Sequence, residues 1–300
     1  MQDFLDRYDF MLSEAAIVER LRRRGDIALD NIVHAHLIYD AQGAKVLSQI
    51  YNDYIRIAQQ ADTPLLLCTP TWRTNKDRVQ QSGISTAINR DAARFLHTLK
   101  QRANDTGTLK IGGTIGCRND CYRPEEGLSA TEATRFHTWQ IEQLATGEVD
   151  FLIAVTLPSV EEALGIANAM AMTGKPYIIS FVIGRDGKLL DGHSLADAFD
   201  IIDSQATTPP LGYFVNCSYP AFLNPSAQPA AVFKRLLGMQ ANASSLDHTA
   251  LDGSPELKSE PVEAWGDLML QLNRDYGVKV LGGCCGTGNE HLEYLVNHGR

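Results

Sequence analysis

No stretch of this 300-residue chain approaches the roughly 18 consecutive apolar residues of a membrane-spanning helix. No basic run exceeds Arg22-Arg23-Arg24, and the formal charge is -9. Those two shortages speak against a membrane and against nucleic acid as partners, and leave a small soluble substrate as the expectation. The N-terminus has Asp3 and Asp6 but no basic segment leading into an apolar core, so it does not read as a signal peptide, and a cytoplasmic protein with reduced thiols is expected. Cysteines number six, and Cys284 and Cys285 are adjacent; neighbours rarely bridge without strain, so a disulfide framework is not expected. A phosphate-binding glycine loop is missing where a dinucleotide fold would carry it. The first strand-like run leads into Ser13-Glu14-Ala15-Ala16. Neither a P-loop nor a nucleophile elbow occurs, and there is no low-complexity tract.

Apolar runs and amphipathic stretches do alternate throughout. Strand-like segments fall at Phe10-Met11-Leu12, 64–68, 109–115, 150–156, 176–183, 211–217, 238–243 and 278–282. Helical spacing covers 15–24, 44–60, 89–101, 129–145, 159–172, 194–204, 230–237, 261–276 and 289–297. Val46, Leu47, Ile50, Tyr54 and Ile57 share one face of the second of these. Ser129 with Glu132 forms a capping-box pattern. Eight strands, each followed by a helix, point to a single (β/α)8 barrel of the TIM type, spanning 1–300 as one domain. The polar segment 244–260 reads as a loop at the barrel mouth.

In such a barrel the C-terminal strand ends ring one opening, where active sites sit. Cys217 ends the sixth strand. Cys284 and Cys285 end the eighth, with Gly282, Gly283 and Gly286 around them. Successive residues of a strand face opposite sides, so two adjacent cysteines reach one point only if the backbone leaves the strand, which glycine permits. Three thiolates suit Zn2+ with a fourth position open. A thiol bound there loses its proton near neutral pH and becomes a nucleophile, and zinc has no redox chemistry, so the simplest product is an S-alkylated thiol.

Leu281-Gly-Gly-Cys-Cys-Gly-Thr287 followed by Glu290-His291 resembles the C-terminal zinc motif of the homocysteine S-methyltransferase family, and Val215-Asn216-Cys217 resembles its first ligand motif. Further segments lie in the family's order, among them Gly113-Thr-Ile-Gly116, Phe136-His137, Thr156 to Ala163, Ile179-Ser-Phe181 and Ala241-Asn242. The resemblance runs from about Leu65 to His298. It implies a zinc-dependent barrel that methylates homocysteine in methionine metabolism, with Cys217, Cys284 and Cys285 as the metal ligands. Donors across the family include sulfonium, quaternary ammonium and corrinoid or folate systems. No cobalamin domain is evident in the chain, so a corrinoid protein would be a separate partner. Self-association as a homo-oligomer stays open.

The chain also departs from the family pattern. Ser13-Glu14-Ala15 stands where an Asp-Gly-Gly helps hold the substrate amine, and Val155 stands where the family has a second amine-binding carboxylate. Glu14 is either a substitute for the lost Asp or a carboxylate favoured at a helix N-terminus. Thr69-Pro-Thr-Trp-Arg73 replaces Thr-x-Thr-Tyr-Gln. Trp72 offers a π face to a cationic donor, and Arg73 offers a clamp for an anion; a rim tryptophan and a solvated arginine are the alternatives. Asn216 holds either a backbone turn or a substrate polar group. Homocysteine as acceptor is thereby put in question. A zinc-binding pseudoenzyme or thiol-ligand sensor without methyl transfer is the other reading. Cys117 and Cys121 read as incidental loop cysteines, Cys68 as packing, and His137 as a local packing or capping residue. His34 and His36 lack a third ligand nearby, and His193 and His248 fall in loops.

Overall fold

The computed structural model describes residues 1–247 and 258–299. Eight parallel strands close into a barrel in sequence order: β1 (Met11–Ser13), β2 (Leu65–Cys68), β3 (Leu109–Gly116), β4 (Phe151–Leu157), β5 (Tyr177–Phe181), β6 (Gly212–Asn216), β7 (Leu236–Ala241) and β8 (Val280–Gly283). Closure comes from β8 pairing with β1, Met11 beside Val280 and Leu12 beside Leu281. Around the barrel lie α1 (Gln2–Arg7), α2 (Val18–Arg24), α3 (Ala41–Gln60), α4 (Lys76–Ser82), α5 (Ile88–Arg102), α6 (Ala130–Ala145), α7 (Val160–Ala171), α8 (Leu195–Gln205), α9 (Ala230–Arg235), α10 (Val262–Tyr276) and α11 (Asn289–His298). Among the described residues no helix is long and apolar enough to cross a membrane.

The strands are buried on both faces, which is why they read as unbroken apolar runs rather than as alternation. One cluster fills the barrel: Met11, Leu66, Phe151, Ile153, Ile178, Phe214 and Val280. A larger one packs the outer strand faces against the helices. The helix α1 has no strong sequence signal, yet its Phe4 and Leu5 belong to the inner cluster. Lys279, next to the start of β8, donates to the Leu5 carbonyl at 3.1 Å. The N-terminal end of the barrel is thus closed by α1, and chemistry is left to the other end.

Two boundaries differ from the sequence reading. The helix expected from Ala15 begins at Val18, because Ala16 N–H is held by the Thr287 hydroxyl at 3.2 Å. The seventh strand starts at Leu236, which pairs with Tyr213. Arg235 stops α9 there by gripping Asp203 at 2.8 Å and the Leu211 and Pro210 carbonyls. Ser129 N–H donates to Glu132 at 3.2 Å as the capping pattern requires. Of the segment expected to form a loop at the mouth, residues 248–257, with His248, lie outside the described residues; Ser244 and Lys258, on either side of them, line the mouth.

Candidate metal centre

Cys217 follows β6 with φ +56°, and Thr156 in β4 has φ +57°. Left-handed backbone costs a non-glycine residue about 1–2 kcal/mol, so both turns need a fixed partner. Asn216 supplies one. Its Oδ1 accepts from Thr156 N–H at 2.8 Å and Ser180 Oγ at 2.7 Å, and its Nδ2 donates to Thr156 Oγ1 at 2.7 Å. The Asn216 amide holds this backbone turn, and the residue also lines the cavity beside the cysteines.

The second arm leaves β8 at Gly283. A Cβ there would lie 2.1 Å from Thr287 Oγ1, so glycine is what lets the turn fold back on itself. Cys284 N–H donates to the Ala241 carbonyl at 2.7 Å, and Thr287 Oγ1 donates to the Cys284 carbonyl at 2.7 Å. Asn242 joins the two arms: its Nδ2 donates to the Cys217 carbonyl at 2.9 Å, and its Oδ1 accepts from Cys285 N–H at 3.1 Å.

The ligand atoms of Cys217, Cys284 and Cys285 lie within 4.8 Å of one another, the one such group among the described residues. The sulfurs of Cys217 and Cys285 are 3.9 Å apart. Tetrahedral zinc at about 2.3 Å from each sulfur would set them about 3.8 Å apart, so the donor set and its spacing fit that ion. Hydrogen bonds from Cys284 and Cys285 pull the Cys217 thiol well below its ordinary range, while the same contacts push both partners up. Tyr122, from the loop after β3, places its phenol oxygen 2.9 Å from Cys217 Sγ. Burial, then the nearby Cys217, drives that phenol far above its ordinary range, so it is the donor.

A cavity of about 320 Å³ opens onto this cluster, with Ile17, Val18, Trp72 and Val155 among its apolar lining. Glu14 faces into it and accepts from Cys68 N–H at 2.6 Å. Burial raises its carboxyl to about 8 against the pull of that bond. His34, also in the lining, is buried, has no partner on Nδ1 among the described residues, and is pushed down to about 3 by burial and then by His36. Trp72 lines the cavity, but the Arg73 guanidinium lies over its ring at 4.2 Å. Arg73 itself is outside the lining. It is buried and donates to the Cys117 and Asn119 carbonyls at 2.8 and 2.6 Å, so the anion clamp read from the sequence is turned into a loop brace.

Residues that sequence reasoning read as incidental or did not single out also stand here. Cys121 lines the cavity and is raised to about 12 by burial and then by Cys117. Its loop is held from behind by Glu162, which accepts from Arg118 N–H at 2.7 Å and Leu128 N–H at 3.4 Å and meets His137 Nε2 at 2.9 Å. Both partners of that last contact are buried. Tyr122 carried no periodic signal; its place just after a strand end was the only clue.

The chain matches homocysteine S-methyltransferases along residues 11–298. It belongs to that family. The homocysteine S-methyltransferase YbgG of Bacillus subtilis (strain 168) is 21% identical over 99% of this chain and 96% of its own length. Betaine–homocysteine S-methyltransferase 1 of Bos taurus is 30% identical over 84% of this chain, which spans only 63% of that relative. The metallated form of the homocysteine methyltransferase MmuM from Escherichia coli superposes with a TM-score of 0.74 at 19% identity, covering 98% of each chain, a likeness of fold. As a member of the homocysteine S-methyltransferase family, the protein is a methyltransferase.

Proposed function

We propose that this enzyme transfers a methyl group from a sulfonium, quaternary ammonium or protein-bound corrinoid donor to a thiol, using Zn2+ held by Cys217, Cys284 and Cys285. The observation that carries this reading is the convergence of three thiols within 4.8 Å on the wall of one cavity. Bound zinc supplies one thing here, an acceptor sulfur kept as thiolate near neutral pH. Asn216 and Asn242 fix the two ligand-bearing turns. The apolar walls limit water, so the sulfur meets the methyl carbon with little competing solvent. The acceptor's proton leaves to solvent, the new sulfur–carbon bond forms, and the donor's bond to the methyl breaks, its electron pair departing with the sulfide, amine or cobalt.

Glu14 is the carboxyl placed to meet a positive group, whether acceptor ammonium or donor onium; a cation beside it favours its ionised form. Trp72 contributes ring surface, with one face already carrying Arg73. The experiment is metal analysis of the purified protein followed by assay of methyl transfer from S-methylmethionine or betaine to homocysteine and other thiols. Stoichiometric zinc, lost together with turnover in Cys217→Ser, is the expected result. Full turnover in a metal-free protein would overturn the zinc role. Zinc without turnover by any donor would favour the thiol-sensor reading.

A further inference from the structure

We propose that Gln240 is a substrate-contacting residue: its carboxamide N–H donates to the acceptor's sulfur once that sulfur stands at the thiol cluster. The proposal rests on the thiol-transfer reading above and adds a contact to it.

Gln240 lies in β7, the strand between the two that carry the cysteines. It stands beside Asn216 of β6 on one side and Gly282 of β8 on the other. Neighbouring strands run about 5 Å apart, so Gln240 sits between the Cys217 turn and the turn of Cys284 and Cys285. Side chains alternate along a strand. Met239 and Ala241 belong to the outer cluster, which sends Gln240 inward, where it lines the cavity with the three cysteines. Its backbone is already tied to the metal centre, since its carbonyl accepts from Cys217 N–H at 3.1 Å.

The residue is only 7% exposed, yet among the described residues its carboxamide has no hydrogen-bond partner. Buried amides are normally paired. Its neighbours in register do not serve: Gly282 has no side chain, and the Asn216 amide is spent on Thr156 and Ser180. Asn242, the other amide of this wall, is spent on Cys217 and Cys285. Gln240 is therefore the carboxamide of the cavity that remains for a ligand. Charge decides which end of it meets that ligand. Three cysteine thiolates and a substrate thiolate outweigh the positive charge of a divalent cation, so the N–H end faces the sulfurs. Such a neutral donor steadies a thiolate without adding a positive charge. Methylation removes the charge from the sulfur, so the bond favours the thiol substrate over the thioether product.

The test uses the full chain loaded with Co2+ in place of zinc, so that ligand binding is read from the cobalt absorption spectrum without turnover. The probes are 2-mercaptoethanol and, as its competitor, the thioether 2-(methylthio)ethanol. Gln240→Met keeps the length of the side chain and removes the donor. It is expected to weaken the thiol about tenfold, a loss of about 1.4 kcal/mol, and to leave the thioether nearly unchanged. Gln240→Glu puts an oxygen where the donor was and should weaken the thiol further. In turnover with S-methylmethionine or betaine, KM for the thiol should rise in both variants and KM for the donor should not. Zinc affinity, by chelator competition, and the urea midpoint are expected to stay with the parent. A fall in zinc affinity that accounts for the whole loss overturns the proposal, because Gln240 would then act on the fold of the metal centre alone. Unchanged thiol binding, or equal losses for thiol and thioether, overturns it too. So does a rise in KM confined to the donor. If the thiol leaves the cobalt spectrum of the parent protein unperturbed, the thiol-transfer reading itself fails, whatever the variants do.

Discussion

The phenol oxygen of Tyr122 lies 2.9 Å from the sulfur of Cys217, although the two residues come from loops on different strands, β3 and β6. With its proton held firmly by burial, the phenol donates to the sulfur and stabilises the thiolate that a metal needs. Tyr122→Phe keeps the ring and removes the donor. Zinc affinity, measured by competition with a chromophoric chelator, should fall by about tenfold. An unchanged affinity in a normally folded variant would remove Tyr122 from the metal centre.

Asn216 makes three hydrogen bonds in a buried site and holds Thr156 in its left-handed turn. Asn216→Ala strands the Thr156 N–H and the Ser180 hydroxyl without their acceptor. Each buried group left unsatisfied costs about 1–3 kcal/mol, so a loss of about 2–4 kcal/mol is expected from the urea midpoint at unchanged slope. A loss below about 0.5 kcal/mol would mean that the turn is held by something else.

Glu162 grips the loop that carries Cys121 and Tyr122 through two backbone N–H groups and the His137 ring. Charge-assisted bonds of this kind are about twice as strong as neutral ones. Glu162→Gln keeps the shape and loses the charge, so local opening of the loop becomes easier. Cys121, buried in the native protein, should then react with a maleimide about tenfold faster in a background with the other five cysteines changed to serine. An unaltered rate would show that the loop is held without the buried charge.

The barrel was legible because strand and helix patterns repeat eight times and each strand is built around a short apolar run. The thiol cluster was legible because two strand ends in a closed barrel share one rim, and the glycines beside Cys284 and Cys285 announced a turn. What a side chain turns toward was not legible. Arg73 had the right chemistry and the right strand end, but the Cys117 and Asn119 carbonyls capture it. Tyr122, Asn242 and Glu162 act across elements far apart in sequence, so no local spacing marks them. The helix α1 is too short to show a period, and only the open end of the barrel gives Phe4 and Leu5 something to cover.

Glu14 and His34 set opposing pH dependences. Glu14 has an ordinary value of 4.5 and about 8 in the fold, so between these values the native state keeps a proton that the unfolded chain has lost. Its contribution is whole below 4.5 and drains away as pH rises to about 8. His34 goes from 6.5 to about 3 on folding, so its contribution is whole above 6.5 and is lost as pH falls toward 3. The two slopes oppose each other between 4.5 and 6.5, and above 6.5 the Glu14 slope stands without the His34 one. Urea denaturation of chelator-treated protein at stepped pH should therefore show Glu14→Gln gaining on the parent between 6.5 and 8, and His34→Gln gaining below 4.5. Differences between parent and variant cancel the common titration of the clustered thiols. If Glu14→Gln runs parallel to the parent across that upper window, the carboxyl ionises in the fold as freely as in water, and its capacity to stay neutral in the cavity is lost with it.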